Sequence, residues 1–276
     1  IRGLKRRPFR TILTLITIVT IVSSSVLLIN VSVSRETRIK RSWPSTKISS
    51  LIIRSNPSSL IKLSVYDVEW IRRQEWCSNV SYMEEIPDLE FYGPDRISRI
   101  TMLSTESGHK RIINVLFVDP VFMDKYYDFS KYVRGFWKDF SRGEKVILLP
   151  TNYDMTVGDY VTLNVEETLL SRQRFPMPLG TKELGIFRVI GKFDPSQLLE
   201  FRKMDNSLLF KDVAHTVLIP IDSVNDSSVT ISEITVIVAP GFNTIDIAKE
   251  VAYSLGLPVI ANRNGFSFLV EWSLEV

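Results

Sequence analysis

Between Arg10 and Arg35 the chain carries 24 consecutive uncharged positions, fourteen of them Ile, Leu or Val. A helix rises about 1.5 Å per residue, so such a run reaches roughly 36 Å, enough for a hydrocarbon core of about 30 Å. Its aliphatic residues favour insertion by about 4–8 kcal/mol with no charge opposing them. The interspersed Thr and Ser cost little, because a hydroxyl can bond the carbonyl one turn back. The segment predicts a transmembrane helix. With neither Pro nor Gly between Phe9 and Trp43, the helix is expected to run on to about Arg38 and to end at Trp43-Pro44.

A secretory signal is the competing reading, with Ile12–Val22 as its apolar region and Ser23-Ser24-Ser25 as its cleavage site. The apolar character resumes at once in "VLLINVSV", which makes the run too long for an ordinary signal. Arg2, Lys5, Arg6, Arg7 and Arg10 precede the segment without an acid. They place the N-terminus in the cytoplasm and the residues after about 35 outside it. Thr14, Thr17, Thr20 and Ser24 fall within one arc of that helix and are candidates for packing against another membrane helix.

The formal net charge of +3 belongs to the first residues. Beyond Ser34 there are 29 basic and 31 acidic residues, a net of −2 over 242 residues. A near-neutral body without a basic stripe lacks the field that nucleic-acid binding requires. Its length is near the limit for one core, so two subdomains are expected. Cys77 is the single cysteine and excludes an intrachain disulfide; beside Trp76 it reads as a small buried hydrophobe. Asn30, Asn79 and Asn225 begin Asn-x-Ser patterns.

Two stretches share a strand–helix–strand pattern. In the first, Leu51–Arg54 is followed by a helix opening at Ser64, where Ser64 and Asp67 have capping-box spacing and Val65, Val68 and Ile71 mark an apolar face. A strand around Val80–Met83 follows. In the second, Ile234–Val238 leads to a helix capped by Asn243, with an apolar stripe at Ile247, Ala248, Val251, Ala252 and Leu255 and a stop at Gly256. Strand Val259–Ile260 follows, and Phe266–Val276 alternates like a half-buried strand. Between the two lies a strand-rich insert containing "EKVILLP", "GDYVTLNV", "GIFRVIGKF" and "HTVLIPIDSV", with Arg174–Gly185 as a Pro- and Gly-rich loop. The fold expected is α+β: one membrane helix (1–41), a discontinuous α/β sandwich (42–118 and 230–276), and an inserted β-rich subdomain (119–229). The chain reads as a fragment that stops near where it would return to the membrane.

Reactive chemistry has little to stand on. "GTKELG" lacks the spacing of a phosphate-binding loop, His109 and His215 have no partner at metal-ligand spacing, and no nucleophile elbow is present. Neighbours on a strand face opposite ways, so Glu84-Glu85 and Glu166-Glu167 read as solvated edges. No enzyme activity, cofactor or metal is expected in this chain.

The order of the parts carries a resemblance. "KRRPFRTILTL" opens the apolar segment, and "INVLFVDPVF", "RGFW", "VGDYVTL", "FRVIGKF" and "HTVLIPIDSV" follow in that order. The chain resembles the N-terminal half of an FtsX-like ABC transporter permease with a MacB-like periplasmic core domain. It departs from that pattern at "PTNYDMT" and in the charged 198–210 stretch. The resemblance implies a permease subunit that pairs with a second permease subunit, as homo- or heterodimer, and with an ABC ATPase subunit or domain. ATP would bind on that ATPase and drive export or a mechanical output. The extracellular sensor of a membrane receptor is the alternative from another class; it would show one pocket of convergent polar groups. Contact with substrate or partner is expected at Met177, Leu179, Leu199, Phe201 and Met204, rimmed by Arg172, Arg174, Lys203 and Asp205.

Overall fold

The computed structural model describes residues 19–20, 35–55, 61–92, 95–105, 108, 110–171 and 175–274. Of the apolar segment only Val19 and Thr20 are included, both helical and exposed. Thr14, Thr17 and Ser24 lie outside the described residues, and among those described no helix is long and apolar enough to cross a membrane.

The strands in chain order are β1 (Arg35–Pro44), β2 (Ser50–Arg54), β3 (Cys77–Glu85), β4 (Leu89–Tyr92), β5 (Asp95–Thr105), β6 (Lys110–Ile112), β7 (Asn114–Val118), β8 (Val133–Gly135), β9 (Val146–Pro150), β10 (Tyr160–Leu170), β11 (Met177–Phe193), β12 (Thr216–Pro220), β13 (Thr230–Val238), β14 (Val259–Arg263) and β15 (Phe266–Leu274). The α-helices are α1 (Val65–Arg72), α2 (Pro120–Tyr127), α3 (Pro195–Leu198) and α4 (Thr244–Leu255). The fold is a sheet-rich α+β arrangement with few helices. Its sheet runs in the order β1-β15-β14-β2-β13-β3-β7-β12-β9-β11-β10-β5-β4, with β6 on β5 and β8 on β11.

The expected helical continuation to Arg38 is overturned, because Arg35–Pro44 is a strand. It pairs antiparallel with β15 from Arg35↔Leu274 to Pro44↔Phe266. Absence of Pro and Gly permits a helix without requiring one, and a ladder supplied by a distant strand overrides a weak local preference.

The two strand–helix–strand stretches interleave. β2 and β3 do not pair with each other; β13 runs antiparallel between them, and β14 pairs with the other edge of β2. That order, β14-β2-β13-β3, is a split β-α-β arrangement. The helices form where their ends are satisfied. Ser64 N–H and its hydroxyl both donate to Asp67 Oδ2, at 2.8 and 2.7 Å, and open α1. Asn243 accepts from the Ile245 N–H, and Gly256 at φ 67° closes α4. Both helices lie on one face of the sheet, burying Val68 and Ile71 from α1 and Ile247, Ala248, Val251 and Ala252 from α4.

The remaining strands continue the sheet beyond β3. β7 and β12 are parallel, as are β9 and β11. Alternation divides the core cleanly: Val115 and Phe117 join the face that α1 and α4 cover, while Leu116 and Val118 join a second core built on Phe129, Phe193 and Phe210. Residues 42–118 are shared between the two ends. β2 and β3 sit in the interleaved group, whereas β5 pairs with β10 through ten partners, from Val161↔Thr105 to Leu170↔Arg96. The stretch expected as a loop, 174–185, is mostly strand: Met177–Gly185 continues β11 against β10. Pro178 and Gly180 are tolerated because β11 pairs there with β10 alone among the described residues, so no donor is required on its outer side.

β8 crosses β11 at Gly135↔Gly191. Gly135 has φ +149°, and a Cβ built on it would lie 2.4 Å from the Ile190 carbonyl oxygen. The glycine of "RGFW" is therefore a packing requirement. Gly135→Ala should cost about 2–3 kcal/mol in urea unfolding, since both backbone strain and a backbone clash oppose it.

Candidate functional site

The residues expected to contact a substrate or partner fall into two places. Asp194 caps α3, its Oδ1 accepting from the Ser196 N–H at 2.9 Å, and the chain beyond folds back over the second core. There Leu198, Leu209 and Phe210 are buried, and Leu199 is 63% exposed. The Phe201 ring is half-buried, with centroids 5.6 Å from Phe129 and Tyr132 and 5.8 Å from Tyr127. Met204 is 1% exposed and packs with Ile52, Phe122 and Ile260. Contact at Met204 is thus excluded by burial, and Phe201 belongs chiefly to an aromatic core.

Met177 and Leu179 stand at the other end of β11, 45% and 52% exposed, with Phe175 beside them at 91%. The sixteen residue steps from Met177 to Phe193 span about 50 Å of strand, so the two places do not form one patch. Met177 faces Leu169, which faces Ile97, and this row continues onto Glu90 of β4. Close to it, buried Arg99 binds Glu90 Oε2 at 2.6 Å and Glu167 Oε1 at 2.7 Å. Burial pushes the Glu90 carboxyl up, but Lys62 and Arg99 outweigh it and hold the group below its ordinary value. Glu167, expected at a solvated edge, is instead an anchor for Arg99. Sequence reasoning passed over Phe175 because its neighbours are Arg172–Arg174 and prolines, the composition of a loop.

Of the charges expected as a rim, Arg172 and Arg174 lie outside the described residues. Lys203 and Asp205 are interior. Arg54 Nε binds Glu233 Oε2 at 2.7 Å, and its Nη2 binds Asp205 Oδ2 at 2.8 Å and Ser207 Oγ at 2.9 Å. Lys203 Nζ binds the same Glu233 oxygen at 2.6 Å, and the Trp43 indole N–H donates to the Asp205 carbonyl at 2.7 Å. Asp205 is 1% exposed and Glu233 3%. Burial works to raise the Asp205 carboxyl, yet Arg54, Ser207 and Lys203 outweigh it and depress the value. Asp205 therefore contributes stability above the ordinary carboxylate range, and this is lost as pH falls through its depressed value. The network borders a cleft of about 200 Å³ lined by Arg54, Lys62, Glu85, Glu90, Lys203 and Lys211 among others.

Cys77 is half-buried and free, its thiol pushed up by burial against the opposing pull of Arg72. No group of three or more His, Cys, Asp or Glu among the described residues could hold a metal ion.

Arg54→Ala would take the guanidinium from buried Asp205 and leave Glu233 with Lys203 alone, and should cost about 3 kcal/mol. Phe201→Ala should cost about 2–3 kcal/mol, whereas Met177→Ser and Leu199→Ser should each stay within about 0.5 kcal/mol. Denaturant midpoints of the four variants, compared with the unaltered chain, check this separation of core from surface.

Comparison with protein-family models and with curated proteins gives no match. Among solved structures, the chain is similar to the periplasmic region of MacB from Actinobacillus actinomycetemcomitans, at 15% identity and TM-score 0.41, covering 81% of this chain and 88% of that one. It is also similar to the extracellular domain of the noncanonic ABC-type transporter YknZ from Gram-positive bacteria, at 11% identity and TM-score 0.41, covering 80% of this chain and 98% of that one.

Proposed function

We propose that this chain is part of an ABC transporter permease of the FtsX/MacB type, whose extracytoplasmic domain couples ATP hydrolysis on a partner ATPase to export or to a mechanical output. The observation that carries the reading is the register of β1 on β15. Arg35 follows the apolar segment directly and is the partner of Leu274, so the folded body hangs from one point beside the predicted membrane helix. A body attached in this way can follow movement at its base. The ordered motifs from "FVDPVF" to "FRVIGKF" agree with it.

In this reading the basic start is cytoplasmic and residues after about 35 are outside. Residues 42–85 and 230–276 supply a porter-like part built around β13, and the strands from β4 to β12, those of 119–229 among them, supply the rest. Thr14, Thr17, Thr20 and Ser24 pack against membrane helices of the same or a second permease subunit. ATP stays on the ATPase. Met177, Leu179 and Leu199, joined by Phe175, are the apolar groups left to meet substrate or partner.

The test is purification of the tagged chain from its native membrane under mild detergent. An ATP-hydrolysing subunit should accompany it, and Met177→Ser with Leu199→Ser should keep that association and the Tm while reducing the coupled output at least several-fold. Recovery of a cleaved, membrane-free chain, or of a complex without any ATPase, would contradict the reading.

A further inference from the structure

The cleft of about 200 Å³ beside the Arg54 network opens where three parts of the fold meet. β2 and β13 give Arg54, Ile231 and Glu233; Pro87 adjoins Leu89 and Glu90 of β4; and the chain beyond α3 gives Lys203 and Lys211. Its walls are held by bonds of their own. The Ser55 N–H donates to the Ser232 carbonyl at 3.0 Å, Leu63 bridges Ile231, and the Arg99 N–H donates to the Asp88 carbonyl at 2.8 Å. The Lys203 N–H donates to the Ser207 carbonyl at 2.8 Å, and Lys211 follows the buried Leu209 and Phe210. The cleft is therefore preformed.

Four cations and three carboxyls line it, and most of them satisfy one another. Glu233 takes Arg54 and Lys203, while Glu90 takes Lys62 together with Arg99. Two groups are left over. Glu85, half-buried on β3, and Lys211, exposed, make no ion pair or side-chain hydrogen bond among the described residues. Glu85 is held in place by the pairing of β3 with Thr230 on one side and with Leu116 on the other. The two are of opposite sign, so a simple anion or a simple cation would match one and be repelled by the other. Pro87, Leu89 and Ile231 add an apolar lining. The cleft equals the liquid volume of roughly seven waters, so it takes a ligand of fewer than about ten non-hydrogen atoms.

We propose that this cleft binds a small zwitterion of amino-acid type: its ammonium meets Glu85, its carboxylate meets Lys211, and its apolar body rests on Pro87, Leu89 and Ile231. The groups already paired set the specificity around it. Glu233 and Glu90 are neutralised by their own cations, so a further charge on the ligand finds no free partner. The site belongs to the domain itself, and the inference goes beyond the permease reading without resting on it.

Isothermal titration calorimetry of the whole chain in detergent micelles near neutral pH tests it with two isomeric probes. L-leucine and ε-aminocaproate carry the same atoms with their charges at different spacing. At least one should bind with a Kd below about 1 mM. The matching carboxylic acid without the amine, and the matching amine without the carboxyl, should each bind at least about tenfold more weakly. Lys211→Met should remove the zwitterion's advantage over the amine, and Glu85→Gln its advantage over the acid. Both variants should keep the Tm of the unaltered chain, because neither side chain is paired. Three results would each overturn the proposal: no binding of either isomer at about 10 mM, single-charge analogues that bind as tightly as the zwitterion, or unchanged discrimination in either variant. If a variant does not fold, the comparison of analogues on the unaltered chain decides alone.

Discussion

Thr230–Val238 is the strand on which the rest of the structure depends. β2 and β3 flank one helix in the chain yet cannot bond each other, because β13 occupies the space between them. Burial of Leu51, Ile53 and Tyr82 thus waits for a segment more than 140 residues further along. Closing so long a loop costs little more than closing one half its length, because the entropy grows only with the logarithm of length. What makes it profitable is that the intervening chain pairs among its own strands, β4 to β12, and presents both its ends to the same sheet. The first and last parts of the domain are therefore one structural unit in space and two in sequence.

That dependence explains what could be read in advance. α4 was legible because its information is local: Asn243, the stripe from Ile247 to Ala252 and Gly256 lie within fourteen residues. β9 and β12 were legible as short runs buried on both faces. β1 was not, since "RETRIKRSWP" has no strand-like alternation and becomes a strand only because β15 offers it a ladder. Nor was the outer part of β11, where Pro178 and Gly180 imitate a loop and are tolerated only at an open edge.

The candidate site shows the same limit. Periodicity could say that Leu198, Phe201, Met204 and Phe210 were apolar, but not which of them would be covered; Met204 is, and Leu199 is not. Lys203 and Asp205 looked like solvent-facing charges because their partners, Glu233 and Arg54, lie 30 and 151 positions away. Glu84 looked like half of an exposed acidic pair, and pairing of β3 with both β13 and β7 encloses it. Charge in a sequence tells what must be balanced; topology decides whether water or another side chain does it.

In the proposed permease reading, the domain passes movement from its base to its far end. The most direct measurement is a distance between spin labels at Ser254→Cys on α4 and Leu179→Cys on β11, in a Cys77→Ala background, within the membrane complex. The account predicts that the distance distribution shifts by several ångströms between the nucleotide-free complex and the complex trapped with ATP. An identical distribution in both states, in a complex that hydrolyses ATP normally, would contradict it.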